Sequence, residues 1–233
     1  TTTKTYHIKV ALCDNENQGI VPVSGQLGNG QVPRYNLYWG TSHGTKTYFK
    51  NSAFWKLIKT YQVNDTILER IIFKHHSKGI YLVADAYDGR YIKATTIDFL
   101  NAAAGIHKDT LHVDDKTIGI HGNAQLVAYL GHNGLMDFTL EDSLENYDQK
   151  ERDVIILACY SRDYFAQYIQ DAGAHPLVWT SGLMAPEAYT IHDALTSYTN
   201  KKPEDEIVLS AAKAYARCQK CSVKAAQNLI IGK

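Results

Sequence analysis

Five short runs of Val, Ile, Leu, Ala and Tyr punctuate this chain, and each stops at a turn-forming or chemically active residue. They are YHIKVALC over 6–13, GIYLVADA over 79–86, AQLVAYLG over 124–131, VIILA over 154–158 and PLVWT over 176–180. Runs of this length and composition bounded by turn residues read as buried strands. The segments between them include helical patterns at 92–104 and 161–172, and further helices are expected over 186–198 and 204–231. Strands alternating with helices imply βαβ units and an α/β fold: a mostly parallel sheet with helices on both faces. The segment TYFKNSAFWKLIKTY over 47–61 places apolar residues at helical spacing, so a helix is expected there, with a second helix or its continuation over 65–74. Residues 107–122 are ambiguous, a short strand with turns. With 233 residues, no internal repeat and no low-complexity linker, residues 1–233 are expected to form a single domain.

In an open α/β sheet, ligands and chemistry collect outside the carboxyl ends of the strands. The exits in order carry Cys13-Asp14-Asn15, then Asp85 with Asp88, then His132, then Cys159, then Thr180-Ser181. Turn chemistry accounts for Asp and Asn at such places. It accounts poorly for cysteine, a residue type that is usually buried. A thiol becomes an effective nucleophile when a neighbouring imidazole raises its thiolate fraction. His132 and Cys159 are therefore the candidate catalytic pair.

An apolar run ending in histidine and glycine, followed by an apolar run ending in Ala-Cys-x-Ser, resembles the caspase-like cysteine peptidases, the group of caspases, legumains, gingipains and clostripains. Here those motifs are His132-Asn133-Gly134 and Ala158-Cys159-Tyr160-Ser161, within a resemblance that covers roughly 124–168. The resemblance implies a caspase-like three-layer sandwich, with the histidine and cysteine at the ends of adjacent parallel strands. It further implies a cysteine endopeptidase that cleaves peptide or protein substrates through a Cys-His dyad and needs no cofactor. Asn133 departs from the family, in which glycine directly follows the histidine, and this alters the turn. Backbone amides near Gly134 and Cys159 are the expected oxyanion donors.

Asp14 or Asn15 is a candidate to orient His132 as a third member. Asp85 and Asp88 are candidates for an acidic specificity pocket or a cation site, although neither spacing completes a metal motif, and no metal is expected. Two alternatives accompany the peptidase. One is a catalytically inactive caspase-like binding or assembly module. The other is a different doubly wound hydrolase using Asp14, Asp85 and Asp88.

Formal net charge is zero, which gives no electrostatic reason to expect nucleic acid or an anionic membrane surface as a partner. No apolar run is long enough to span a bilayer. The four cysteines do not form a disulfide framework. The Cys218-Gln219-Lys220-Cys221 motif lies in an alanine-rich run and is expected mid-helix, without a second ligand pair for zinc. The long polar segment from Asp14 to about Thr45, with Gly25–Gly30 inside it, is expected to be a flexible loop contributing a wall or lid to the active rim. Compartment and oligomeric state are left open.

Overall fold

The computed structural model describes residues 3–141 and 144–233. An eight-stranded sheet organises the chain. Its centre is parallel and is formed by β4 (Ile80–Tyr87), β1 (Lys4–Ala11), β7 (Leu126–Leu130), β8 (Asp153–Leu157) and β9 (His175–Thr180). Antiparallel strands close both edges. On one side lie β3 (Ile67–His75) and β2 (Trp55–Tyr61), and on the other the two-residue β10 (Ile230–Ile231).

Alternation along the central strands sorts side chains into two cores, as the pleat requires. Ile8, Val10, Leu126, Ala128, Leu130, Ile155 and Leu157 face one layer, made by α1 (Thr45–Lys50), α4 (Ala188–Thr199) and α5 (Glu204–Gln219). Val127, Tyr129, Val154 and Ile156 face the other, where α2 (Ile92–Ala103) packs Phe99 and Leu100 and α3 (Ser161–Asp171) packs Phe165 and Ile169. The α/β class with helices on both faces is as expected from sequence.

Two expected helices are wholly or partly strands. Residues 47–61 divide into the short α1 and then β2, and 65–74 form β3 rather than a helix. The β2–β3 ladder slips between Leu57 and Lys59, so β2 loses the strict alternation that identifies a strand. β3 is buried on both faces over Arg70–Phe73, because a separate hairpin covers its second side. That hairpin, β5 (Lys108–Val113) and β6 (Lys116–His121), packs Val113, Ile118 and Ile120 on Ile72, Tyr81 and Val83. It is the ordered form of the ambiguous 107–122 segment.

The expected helix over 204–231 is also interrupted. Lys220 adopts a left-handed conformation (φ 53°), α5 stops at Gln219, and α6 (Val223–Leu229) follows. Cys218 and Cys221 therefore flank a helix break instead of lying mid-helix. The 14–45 segment is folded. Asn36 bridges the main chain of Cys13, accepting from its N–H at 3.1 Å and donating to its carbonyl at 2.8 Å. Trp39 is fully buried. No helix among the described residues is long and apolar enough to cross a membrane.

Candidate functional site

Parallel β7 and β8 pair in register from Leu126–Asp153 to Leu130–Leu157, so their chain exits are neighbours. His132 leaves β7 two residues past its end, and Cys159 leaves β8 two residues past its end. The two exits are tied together, because the Asn133 side-chain amide donates to the Cys159 carbonyl at 2.7 Å. Asn133 also caps the turn over Gly134–Met136, accepting from Leu135 N–H. The residue that departs from the family motif thus fixes the local turn and clasps the cysteine loop.

The His132 ring is held by an acid that the sequence did not single out. Nε2 lies 2.7 Å from Asp137 Oδ2, and the same oxygen accepts from Gly19 N–H at 3.0 Å. A carboxylate at Nε2 places the proton there and leaves Nδ1 as the basic nitrogen, with no hydrogen-bond partner among the described residues. Gly19 belongs to the 14–45 segment, which meets the His132 loop through this bond. The signal for Asp137 was faint: one acid five residues beyond the histidine in a polar loop.

Cys159 is half-buried and sits where a strand turns sharply into a helix. Tyr160 has φ 50° and ψ 35°, and α3 starts at Ser161. A non-glycine residue in this region costs on the order of 1 kcal/mol and has to be held by its surroundings. The holding contacts are Tyr160 N–H to Gly182 carbonyl at 2.8 Å, and Ser161, whose hydroxyl donates to the Ile156 carbonyl at 2.8 Å. The thiol itself lies against the loop after β9. Met184 N–H is 3.4 Å from Sγ and the Met184 carbonyl is 3.5 Å from it.

The other residues proposed from sequence are placed elsewhere. Gly134 is packed into its turn, where an added Cβ would come 2.8 Å from the Phe138 ring. Beside it the Tyr129 hydroxyl donates to the His132 carbonyl at 2.7 Å. Asp14 and Asn15 do not orient His132. Asp14 accepts from Glu16 and Asn17 amides and from Gln31, and Asn15 is bonded to Val23 and Gly28. Asp88 is fully buried and paired with Arg90 at 2.6 Å. Burial works to raise its carboxyl pKa, but hydrogen bonds from Arg90 and Gln31 prevail and hold it below the usual range.

Asp85 is not a strand-end residue at all. It faces inward from β4, where Arg70 grips both its oxygens at 2.6 Å and His7 Nε2 lies at 2.9 Å. A carboxylate so occupied cannot receive a substrate side chain. Around it the sheet face under the β5–β6 hairpin carries a buried polar cluster. Lys9, fully buried, bonds to Asp98 at 2.5 Å, to His121 Nδ1 at 2.7 Å and to Tyr87 at 3.3 Å. His7, Asp85 and His121 lie close enough together to hold a metal, as do Asp98, His107 and His121. Their donor atoms are already engaged, however. His7 Nδ1 accepts from the His121 amide at 2.9 Å while Nε2 donates to Asp85, and the Lys9 ammonium fills the position between His121 and Asp98. The cluster's acids and cations neutralise one another.

A hollow of about 600 Å³ opens at the opposite end of the sheet beside Lys4, Tyr6, Asp153 and Tyr198. It lies away from the exits of β7 and β8 that carry His132 and Cys159. The chain matches no protein-family model, no curated protein and no solved structure.

Proposed function

We propose that this protein is a cysteine peptidase of caspase-like type, hydrolysing peptide bonds with Cys159 as nucleophile and His132 as acid and base. The observation that carries the proposal is the pairing of parallel β7 and β8, which brings a histidine and a cysteine to neighbouring exits clasped by the Asn133–Cys159 bond. Support also comes from the sharp strand-to-helix turn at Tyr160, a strained placement of the kind found at functional sites. The single-domain caspase-like sandwich is part of the same proposal, and the central strand order around β1, β7 and β8 is compatible with it.

In the reaction, His132 Nδ1 takes the thiol proton and Sγ attacks the scissile carbonyl, forming a C–S bond. The tetrahedral oxyanion collapses, the C–N bond breaks, and the leaving amine takes the proton from His132. Water, deprotonated by His132, then hydrolyses the thioester and regenerates the thiol. Asp137 holds the imidazole in the required tautomer and faces the positive charge that develops on it. The first turn of α3 has no side-chain cap, and its Arg162 and Asp163 amides are the donors assigned to the oxyanion in place of Gly134. No cofactor enters these steps.

Binding without catalysis is the second function to weigh, and the two contacts between Cys159 Sγ and the Met184 backbone favour it, because they engage the thiol in the free protein. Hydrolysis of a mixed fluorogenic peptide library separates the two. The peptidase releases fluorophore, and both Cys159→Ala and His132→Ala abolish the release while keeping the wild-type circular dichroism spectrum. A wild-type protein that cleaves nothing and whose thiol is indifferent to His132 is a binding module.

A further inference from the structure

A second run of hydrogen bonds joins a serine, a histidine and an aspartate away from the β7–β8 rim. Ser52 lies between α1 and β2, and His192 and Asp193 lie on α4. Ser52 Oγ is 2.8 Å from His192 Nε2, and His192 Nδ1 is 2.9 Å from Asp193 Oδ1. Trp55, which opens β2, pairs with His75, the last residue of β3. Because β3 runs antiparallel to β4, its end lies beside the start of the parallel strands. His132 and Cys159 follow the carboxyl ends of those strands, so the two groups sit at opposite ends of the sheet.

The surroundings fix the direction of each bond. Burial works to raise the Asp193 carboxyl pKa, but hydrogen bonds from His192 and Arg217 prevail and hold it below the usual range. Oδ1 therefore accepts from His192 Nδ1–H, while Arg217 donates to Oδ2 at 3.2 Å. That tautomer leaves Nε2 to accept from the Ser52 hydroxyl. Aromatic rings pack the imidazole: Tyr48 and Phe49 meet it edge-on with centroids 5.2 and 5.3 Å away, and Phe54 lies at 6.2 Å. Ser52 Oγ itself accepts from Phe54 N–H at 3.1 Å, which leaves one lone pair for an electrophile. Ser52 is half-buried, and the two residues after it, Ala53 and Phe54, are exposed. Ala53 N–H has no hydrogen-bond partner among the described residues. The amide that follows a nucleophilic serine is placed to receive an oxyanion.

We propose that Ser52, His192 and Asp193 form a second catalytic site, which hydrolyses carboxylic esters with short apolar acyl groups. Ser52 is the nucleophile, His192 the acid and base, and Asp193 the positioning residue that holds the imidazole. His192 Nε2 takes the hydroxyl proton as Oγ bonds to the ester carbonyl carbon. The oxyanion collapses, the bond to the alcohol oxygen breaks, and the alcohol leaves with the proton from His192. Water, deprotonated by His192, then hydrolyses the acyl-serine, releasing the acid and restoring the hydroxyl. The open surface around Ser52 suits a small acyl group, and the Phe54 ring, 43% exposed, is the apolar surface beside it. Neither Cys159 nor His132 takes part.

A biotinylated fluorophosphonate tests the nucleophile without requiring turnover, since Oγ displaces fluoride from phosphorus and remains attached. Mass spectrometry should find the label on Ser52 in the wild type and equally in Cys159→Ala. His192→Gln and Asp193→Asn should each slow that labelling about 10²-fold while keeping the wild-type circular dichroism spectrum. Asp193 is 28% exposed, so its variant keeps the test decisive if His192→Gln fails to fold. Turnover is followed with p-nitrophenyl butyrate in Cys159→Ala, where the peptidase thiol is absent. Adding Ser52→Ala should abolish it. Adding Asp193→Asn should lower kcat and leave KM within about twofold, because Asp193 does not touch the ester. An unlabelled Ser52, a labelling rate unchanged by Asp193→Asn, or butyrate turnover that is absent from Cys159→Ala or survives Ser52→Ala overturns the proposal.

Discussion

Replacing Arg70 with methionine should destabilise the protein severely, although Arg70 is remote from the proposed chemistry. Arg70 is 5% exposed and grips both oxygens of the fully buried Asp85 at 2.6 Å. Methionine keeps much of the apolar stem and removes the charge. Asp85 is then left with only His7, which is itself neutral because burial lowers its pKa to about 4. Losing one partner of a buried pair costs about 3–5 kcal/mol. A second route to the magnitude agrees. If Asp85 escapes by taking a proton at pH 7, raising its pKa from about 3.9 to above 7 costs about 4 kcal/mol at 1.36 kcal/mol per unit. For a chain of this size, about 2–4 °C per kcal/mol gives a melting temperature lower by about 6–20 °C. The double variant Arg70→Met/Asp85→Leu removes both charges and leaves only the His7 N–H without an acceptor, a cost of about 1–3 kcal/mol. It should therefore melt above the single variant. Calorimetry at pH 7 decides, and a single variant within about 1 kcal/mol of wild type, or a double variant less stable than the single, refutes this account of the cluster.

The same cluster makes the protein acid-sensitive. His7 binds its proton more weakly folded than unfolded, so its contribution is intact above about pH 6.5 and is lost as pH falls from there through about 4. Urea unfolding at pH 7 and pH 4.5 should differ by about 2–3 kcal/mol from His7 alone. The burial-depressed pKa of His121 adds in the same direction, and equal stability at the two pH values would contradict this. At the rim, Asp137→Ala should lower kcat/KM by about 10²-fold with little change in melting temperature, because its side chain is 31% exposed and acts through the His132 ring. An activity within twofold of wild type would show that His132 needs no carboxylate partner.

How far the sequence exposed this architecture differs from element to element. The central strands were legible because each is a short, largely apolar run ending in turn or polar residues. The exits carrying His132 and Cys159 followed from them. β2 and β3 were not legible, since the slip at Leu57–Lys59 breaks alternation in one and the hairpin cover makes the other apolar on both faces. The alternation of His7 and Lys9 with Tyr6 and Ile8 reads locally as a solvent-facing side. Only the long-range packing of β5–β6 and α2 buries it and turns it into the charge cluster. Asp137 was missed for a related reason. It bonds a histidine brought to it by a loop, and loop paths leave no periodic trace. Asp14, Asn15, Asp85 and Asp88 had the residue types of a site, and the fold spends them on turns and internal ion pairs instead.

The central claim is that Cys159 and His132 act on each other, and iodoacetamide labelling followed cysteine by cysteine across pH tests it most directly. A base beside the thiol assists its attack, so Cys159 should be alkylated ahead of Cys218 and Cys221 and far ahead of Cys13, whose thiol burial pushes up to about 11. In His132→Ala the labelling of Cys159 should slow about tenfold or more, while the other three cysteines keep their rates. Identical Cys159 profiles in the two proteins would contradict the claim and leave the β7–β8 rim as a binding surface.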